Sequence, residues 1–155
     1  MMKKKIVIEM DDREGEFQEL ANIEDLNLEF DRKRLKCGDF IYNRLLIERK
    51  DIDDFCSSIM DGRLESQVKK MNEMQKDGYD CFVIIVGMLK DRKVEVHENC
   101  ILGKINSLVM KHNIKVLWCE HHFQFLWIMR NLCEKYDMFT DFIEIKEDEI
   151  YKKKM

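Results

Sequence analysis

The stretch that decides the fold covers residues 38–50 and has the sequence Gly-Asp-Phe-Ile-Tyr-Asn-Arg-Leu-Leu-Ile-Glu-Arg-Lys. It contains two apolar segments, Phe40–Tyr42 and Leu45–Ile47, which are separated by Asn43 and Arg44. Two short apolar runs with two residues between them are typical of a β-hairpin. The stretch therefore predicts a hairpin whose second strand ends in charged residues.

The charged end of this hairpin brings acids and a lysine together. In a strand that continues to Lys50, side-chain alternation places Glu48 and Lys50 on one face and Arg49 on the other. Two steps along a strand cover about 7 Å, so a carboxylate and an ammonium group share one platform. We expect Asp39 to return its carboxylate to that face from the paired strand, and Asp11 to add a third acid from the end of the first strand.

Three carboxylates at one point repel one another unless a hard divalent cation neutralises them. Mg²⁺ accepts one or two carboxylates together with waters and substrate phosphate. A lysine beside the metal can orient or help deprotonate a water aimed at phosphorus, because the metal already lowers the pKa of that water. The pattern predicts phosphodiester hydrolysis with Mg²⁺ as cofactor and Mn²⁺ as a substitute. Acid-x-Lys recurs at Asp31, Asp91 and Glu144, but only Glu48-Arg49-Lys50 ends an apolar strand and opens an amphipathic helix.

Hydrophobic periodicity predicts an α/β domain in which a mixed central β-sheet is flanked by helices. The first strands are expected to form a meander. The domain is expected to span residues 4–143, followed by a charged tail at 144–155. The predicted strands are Lys5–Met10, Leu26–Phe30, Phe40–Tyr42, Leu45–Ile47 (or to Lys50), Cys81–Val86 and Val116–Cys119. The predicted helices are Glu16–Ile23, Asp51–Asp61, Arg63–Lys76, Glu98–His112 and Phe123–Tyr136.

Composition limits the classes of function. The chain has 155 residues, of which 45% are hydrophobic, and a net charge of −4. These values fit one folded domain and argue against sequence-blind nucleic-acid binding through a wholly basic surface. Without an apolar run long enough for a signal peptide or a membrane span, we expect an intracellular protein with no membrane partner, in the cytoplasm or nucleoid, or in the nucleus of a eukaryote.

The six cysteines include no Cys-x-x-Cys pair, which favours reduced, buried thiols. Cys119-Glu120-His121-His122 suggests zinc because thiolate and imidazole are preferred ligands. Adjacent residues at a strand-to-helix turn seldom converge on one ion, so we expect a structural role for them.

Three motifs carry a resemblance that extends over about residues 4–137. The segment Gly38-Asp39…Glu48-Arg49-Lys50…Asp54 resembles the G-D-(x)n-E-R-K-(x)3-D signature of the XPF/Hef family of structure-specific nucleases, a branch of the PD-(D/E)-x-K superfamily. Upstream, Asp11-Asp12-Arg13-Glu14 resembles the D-x-R-E segment of that family, and downstream Asp61-Gly62-Arg63…Gln67 resembles its D-G-R-x-x-x-Q helix junction. The resemblance implies a restriction-endonuclease-like fold.

The resemblance also implies roles for individual residues. Asp39 and Glu48 correspond to the metal carboxylates, with the backbone carbonyl of Arg49 as a further ligand, and Lys50 corresponds to the water-positioning lysine. Accessory acids are Asp11, which we also count among the metal ligands, Glu14, and Asp54, which is expected to support Lys50 or Arg49. DNA contacts are expected from Arg13, Arg63, Arg34 and Lys36, although Arg13 and Arg63 fit an internal ion pair equally well.

The function implied is a metal-dependent endonuclease that cuts branched DNA, such as 3′-flaps and forks, in repair or recombination. The alternative is a catalytically silent, nuclease-like partner subunit for dimerisation and scaffolding. Silent partners tend to lose the Gly-Asp or Glu-Arg-Lys residues, and this chain has them all. A nuclease for unbranched DNA or RNA is a third possibility. Members of the family usually carry a helix-hairpin-helix module, which is not present here, so we expect either an excised domain or a partner that supplies the grip on DNA.

The predicted helix Phe123–Tyr136 is apolar over more than one face, which predicts burial on two sides. We expect a homodimer through the C-terminal helices, or a heterodimer with a related subunit, and the resemblance implies dimerisation too. The interface residues expected are Phe123, Leu126, Trp127 and Ile101. The basic segment Arg32–Lys36 and the pair Lys69-Lys70 are expected to surround the acids with positive potential.

Overall fold

A computed structural model describes residues 4–15 and 26–154, with the backbone alone for 141–154. Its described residues form one six-stranded sheet in the order β2-β1-β3-β4-β5-β6. The predicted α/β class with a mixed central sheet is confirmed, and the predicted helix Glu16–Ile23 lies outside the described residues. The strands are β1 (Ile6–Asp11), β2 (Leu28–Lys33), β3 (Phe40–Tyr42), β4 (Leu45–Asp51), β5 (Asp80–Val86) and β6 (Lys115–Cys119).

The predicted hairpin is present, but the predicted meander is wrong. Strand β3 pairs antiparallel with β4, Phe40 lies opposite Ile47, and Asn43 turns the chain with φ of +53°. Strand β1 instead pairs in parallel with β2, while β3 inserts between β1 and β4. A parallel pair needs a crossover of about a dozen residues or more, and the segment 12–27 provides that length.

Helices cover both faces of the sheet. They are α1 (Ile52–Asp61), α2 (Arg63–Lys76), α3 (Glu98–Met110) and α4 (His122–Lys154), with a 3₁₀ turn at Leu89–Asp91. Gly62 separates α1 from α2 with φ of +82°, a left-handed conformation that favours glycine at a helix end. Helix α4 continues through the segment predicted as a tail instead of ending at Tyr136. Its later residues include neither Pro nor Gly, so nothing local stops the helix.

The two faces of the sheet have separate hydrophobic clusters. Helices α1, α2 and α3 pack on one face against Leu46, Val83 and Ile85. The other face packs Ile47 and Ile84 against α4. Neighbouring residues of β5 therefore lie in different clusters, as expected of a central strand covered on both sides. The described part of the chain contains no helix long and apolar enough to cross a membrane.

The topology gathers several strand ends at one edge of the sheet. Strand β3 is antiparallel to both β1 and β4, and β4, β5 and β6 are parallel, so the carboxyl ends of β1, β4, β5 and β6 share this edge. Asp11 and Asp51 end two of these strands, and Asp39 immediately precedes β3 at the same edge. The charged end of the hairpin therefore lies beside the end of β1.

Candidate active site

A cavity of about 260 Å³ lies where the ends of β1, β3 and β4 face α2. We call it the carboxylate pocket. It brings together residues from four parts of the chain that are distant in sequence. Its lining residues are Asp11, Arg13, Glu14, Lys36, Cys37, Gly38, Asp39, Glu48, Gln67 and Lys70.

Asp39 is fixed in this pocket by backbone and side-chain hydrogen bonds. Its N–H donates to the carbonyl of Ile47 at 3.0 Å, and its own carbonyl accepts from the N–H of Asp11 at 2.8 Å. Its Oδ2 accepts from the backbone N–H of Arg49 at 2.8 Å. Gly38 has φ of +83°, and a Cβ there would lie 2.8 Å from the side chain of Leu46, so the chain can take this path only with glycine.

Glu48 and Lys50 share the sheet face that α1–α3 cover, and Lys50 is 5% exposed. Burial is the largest cause that raises the pKa values of Asp39 and Glu48, and neighbouring carboxylates raise them further. The charge of Lys50 acts in the opposite direction and lowers the pKa of Glu48. The two acids are thus close enough to oppose each other's ionisation, with a buried cation beside them.

Arg49 points away from this pair and links acids along the edge of the sheet. Its Nε donates to Oε2 of Glu14 at 3.1 Å, and its Nη1 donates to Oδ1 of Asp51 at 3.1 Å. The side chains of Arg49 and Glu14 are 16% and 13% exposed, so water screens their ion pair only weakly. Glu14 is in turn a neighbour of Asp39 and raises its pKa. Arg49 therefore positions Glu14 next to the carboxylate pocket.

Asp11 lines the same pocket as Asp39 and Glu48, where its carboxylate is paired with Arg13. Arg13 donates through Nε and Nη2 to the two carboxylate oxygens of Asp11, at 2.7 and 3.2 Å, and the N–H of Leu35 donates to Oδ1 at 3.0 Å. The hydrogen bond with Arg13 is the largest cause that lowers the pKa of Asp11, and it outweighs burial. Over residues 4–15 and 26–140, no three His, Cys, Asp or Glu side chains are arranged to hold a metal ion.

The residues that could hold a divalent cation are therefore Asp39 and Glu48. Their oxygens are the hard donors that Mg²⁺ prefers, and Mg²⁺ uses one or two protein carboxylates. A cation between them would offset the burial and mutual repulsion that now disfavour their charged forms. The donor set fits a magnesium-type ion whose remaining positions are taken by water and substrate phosphate.

The other predicted contact residues divide into two groups. Lys36 is exposed and lines the carboxylate pocket. Arg34 pairs with Asp12 and Arg63 with Asp61 on the surface, and Arg13 pairs with the buried Asp11, each at 2.7 Å. For Arg13 and Arg63, the structure has the internal ion pair. Asp54 is exposed on α1 and does not line the pocket.

Among the lining residues, Cys37, Gly38 and Gln67 were not predicted as site residues, whereas Lys70 of α2 belongs to the pair Lys69-Lys70 that was expected to surround the acids. The buried Oε1 of Gln67 has no hydrogen-bond partner among the described residues, which is unusual for a buried oxygen. The spacing of three residues places the side chains of Gln67 and Lys70 on one face of α2. This spacing, together with the D-G-R-x-x-x-Q resemblance, was the available signal, but sequence alone does not show which face of α2 meets the acids.

The predicted interface residues are only partly at the surface. Leu126 and Ile101 are 0% exposed inside the two hydrophobic clusters, so their prediction as contact residues is wrong. The apolar faces of their helices are already covered by the sheet. Phe123 is 39% exposed, and its ring lies 6.4 Å from that of Trp127 in an edge-to-face arrangement. Trp127 also lines an apolar cavity of about 510 Å³ with Leu117, Trp118, Ile128, Asn131 and Leu132.

The Cys-Glu-His-His segment has structural contacts. The thiol of Cys119 is buried at the end of β6, and Nδ1 of His121 accepts from the backbone N–H of Gln124 at 3.2 Å. All six cysteines are free thiols, and five of them are buried. The exception is the exposed Cys100.

Comparisons with known proteins agree with this architecture. Residues 10–131 match the family model described as the ERCC4 domain. The chain is 31% identical over 138 residues to the protein named "Putative ATP-dependent RNA helicase MJ1505" of Methanocaldococcus jannaschii. That alignment covers 86% of this chain and 16% of the relative, so the chain spans about a sixth of the relative's length.

Two solved structures have the same fold. One is XPF from Aeropyrum pernix, with a TM-score of 0.73 and 21% identity over 89% of this chain and 69% of that chain. The other is XPF from Aeropyrum pernix in complex with DNA, with a TM-score of 0.70 and 22% identity over 85% of this chain and 65% of that chain. Since the family model covers most of the sequence, the chain belongs to the ERCC4 domain family and has the restriction-endonuclease-like fold of an XPF/Hef nuclease domain.

Proposed function

We propose that this chain is the nuclease domain of a divalent-metal-dependent, structure-specific endonuclease that hydrolyses phosphodiester bonds in branched DNA. The observation that carries the proposal is the carboxylate pocket, in which Asp39 and Glu48 adjoin the buried Lys50 at the edge of the sheet. Membership of the ERCC4 domain family supports the same reaction. Its expected setting is DNA repair or recombination, on substrates such as 3′-flaps and forks.

Within this proposal, Asp39 and Glu48 hold Mg²⁺ or Mn²⁺, with the backbone carbonyl of Arg49 as a further ligand. The bound cation supplies a lowered pKa for water and neutralises charge on the phosphate. Lys50 lies beside Glu48, where it orients the attacking water. Asp11 serves as an accessory acid whose charge Arg13 balances. Glu14, held by Arg49, adds negative charge at the edge of the pocket.

DNA enters this pocket from its exposed rim. Lys36 and Lys70 line the pocket and are exposed, so they are placed to contact the phosphates on either side of the cleaved bond. Arg13 and Arg34 contribute less, because each is paired with an aspartate. The DNA complex of the similarly folded XPF from Aeropyrum pernix supports DNA as the polymer.

We further propose that the domain forms a homodimer, or a heterodimer with a related subunit, through the outer side of α4 and the edge strand β6. The apolar cavity that contains Trp127 lies between these two elements, and Phe123 beside it is 39% exposed. An apolar surface of this kind next to an edge strand favours a protein partner over water.

A cleavage assay with matched DNA substrates tests the reaction. Purified protein is incubated with Mg²⁺ or Mn²⁺ and a labelled 3′-flap, fork, duplex or single strand of the same sequence. We expect cleavage near the branch of the flap and fork, and little cleavage of the duplex. Equal cleavage of all four DNAs would contradict branch specificity. Binding of the branched DNA without cleavage under any metal would instead support the silent partner subunit.

A further inference from the structure

A second cavity, of about 490 Å³, lies between α2 and α3 on the outer surface of the domain. We call it the basic groove. Leu64, Val68 and Leu108 form its apolar lining, and Lys69, Lys104 and Lys111 contribute its charge. None of these residues belongs to the carboxylate pocket.

The charges of the basic groove are unbalanced. Lys69 and Lys111 are exposed and have no ion pair or hydrogen bond among the described residues. Lys104 lies 3.8 Å from Glu65, whose side chain is 80% exposed, so this contact is a weak surface pair. Three ammonium groups thus accompany one carboxylate in the groove of a protein whose net charge is −4. Such a local positive region attracts a polyanion.

One end of the basic groove is held rigid by polar side chains. Nδ2 of Asn72 lies 3.1 Å from Nδ1 of His112, and Nε2 of Gln75 donates to the carbonyls of His112 and Asn113, each at 3.0 Å. These bonds tie the second half of α2 to the turn that follows α3. The backbone positions of the lysines are therefore set before a ligand arrives, which lowers the entropy cost of binding.

Helix α2 separates the basic groove from the carboxylate pocket. Gln67 and Lys70 line the pocket on one side of the helix, and Val68 and Lys69 line the groove on the other. A helix with its side chains is about 10 Å wide, and each strand of duplex DNA has one phosphate about every 3.4 Å along the duplex axis, so a strand that crosses α2 would span about three nucleotides between the two cavities.

From this placement, and resting on the function proposed above, we propose that the basic groove binds the phosphate backbone of DNA about three nucleotides from the cleaved bond. The same strand would cross the ridge of α2, with one phosphate in the carboxylate pocket and its neighbours on the lysines. Lysine suits this task because it contacts phosphate as a flexible point charge without reading the base. The groove sets how far the DNA must extend beyond the cleavage site.

The salt dependence of binding tests the proposal without any cleavage. The triple variant Lys69→Gln, Lys104→Gln, Lys111→Gln is compared with the wild type for binding of a fluorescent duplex in EDTA. Each phosphate contact contributes about 0.9 to the slope of log K against log salt, so we expect the slope to fall by about 2 to 3. The matched control Lys4→Gln, Lys5→Gln, Arg44→Gln removes the same charge at exposed positions outside both cavities and should lower the slope by less than about 1.

A chemical change in the DNA locates the contact. A neutral methylphosphonate placed about three nucleotides from the branch-proximal cleavage position should weaken binding of the wild type and have little effect on the triple variant. Equal salt slopes for the triple and control variants would overturn the proposal. The proposal would also be overturned if the groove binds only inorganic phosphate. In that case the triple variant would lose binding of inorganic phosphate, while its salt slope for DNA binding would equal that of the wild type. Because the comparison of salt slopes needs neither metal nor cleavage, it remains informative even if the wild type fails to cleave DNA.

Discussion

Replacing Asp39 with asparagine should make the metal-free protein more stable while it abolishes cleavage. The pKa values of Asp39 and Glu48 are raised in the folded state, so the folded protein holds more protons than the unfolded chain. The stability that these groups contribute is therefore present at low pH and is lost as the pH rises through their raised pKa values. Asparagine removes one charge, keeps the shape, and can still accept the N–H of Arg49.

The expected gain in stability comes from removing the repulsion between the carboxylate of Asp39 and the neighbouring carboxylates. Burial, the largest cause of the raised pKa of Asp39, still acts on asparagine, so only the part due to the neighbouring carboxylates is relieved. At about 1.4 kcal/mol per pKa unit, we expect a gain in the free energy of unfolding of about 1.5 to 3 kcal/mol. For a domain of this length, about 2 to 4 °C per kcal/mol gives a rise in the melting temperature of about 3 to 12 °C. The gain should be largest near pH 8 and should shrink toward pH 5, because the wild type loses stability as the pH rises from the ordinary pKa values near 4 toward the raised values of about 9 for Asp39 and about 7 for Glu48.

Thermal unfolding in EDTA, followed by circular dichroism at several pH values, measures this gain. Asp77→Asn is the matched control, because Asp77 is exposed after α2 and lines no cavity that contains the acids. Added Mg²⁺ should then stabilise the wild type and leave Asp39→Asn unchanged, since a ligand stabilises only the form that binds it. If Asp39→Asn is no more stable than the wild type at pH 8, the charges of Asp39 and Glu48 do not destabilise the metal-free folded protein.

Three further changes probe other parts of the structure. Lys50→Ala should slow hydrolysis by about 10²–10⁴-fold with metal binding largely retained, and retained activity would place the catalytic lysine elsewhere. The wild type should sediment as a dimer that buries at least about 1,000 Å², and Trp127→Glu as a monomer, whereas a monomeric wild type would exclude the dimer. Arg130→Met should lower the free energy of unfolding by about 2 to 4 kcal/mol in urea titrations, because the carbonyls of Leu26 and Lys4 lose the buried donors that bind them at 2.7 Å. A loss below about 0.5 kcal/mol would show that Arg130 is not a structural tie.

Local sequence patterns predicted the helices and strands whose ends and burial depend little on residues distant in sequence. Helix α2 has the predicted bounds, because glycine at 62 and Asp77-Gly78 mark its ends. Strand β5 was predicted as central because it is apolar on both faces. The insertion of β3 between β1 and β4 was missed, since strand order depends on pairing between distant residues and leaves no period in the sequence.

The site was predictable to the extent that it follows strand alternation. Opposite faces for Glu48 and Arg49 follow from a period of two residues. The sequence does not show whether Asp11 pairs with Arg13, because a carboxylate at a strand end can turn either to a metal or to a neighbouring guanidinium. Gln67 was missed as a pocket residue, because the face that α2 turns toward the acids is fixed by packing in the cluster of α1–α3.

A Mg²⁺ titration of 3′-flap cleavage tests whether Asp39 and Glu48 form a metal-dependent hydrolytic site. The wild type, Asp39→Asn and Glu48→Gln are assayed side by side, with Asp77→Asn as the control. We expect product that appears only with Mg²⁺, saturates with the Mg²⁺ concentration, and is lost in both pocket variants but not in the control. Cleavage by Asp39→Asn and Glu48→Gln at the wild-type rate would contradict this expectation.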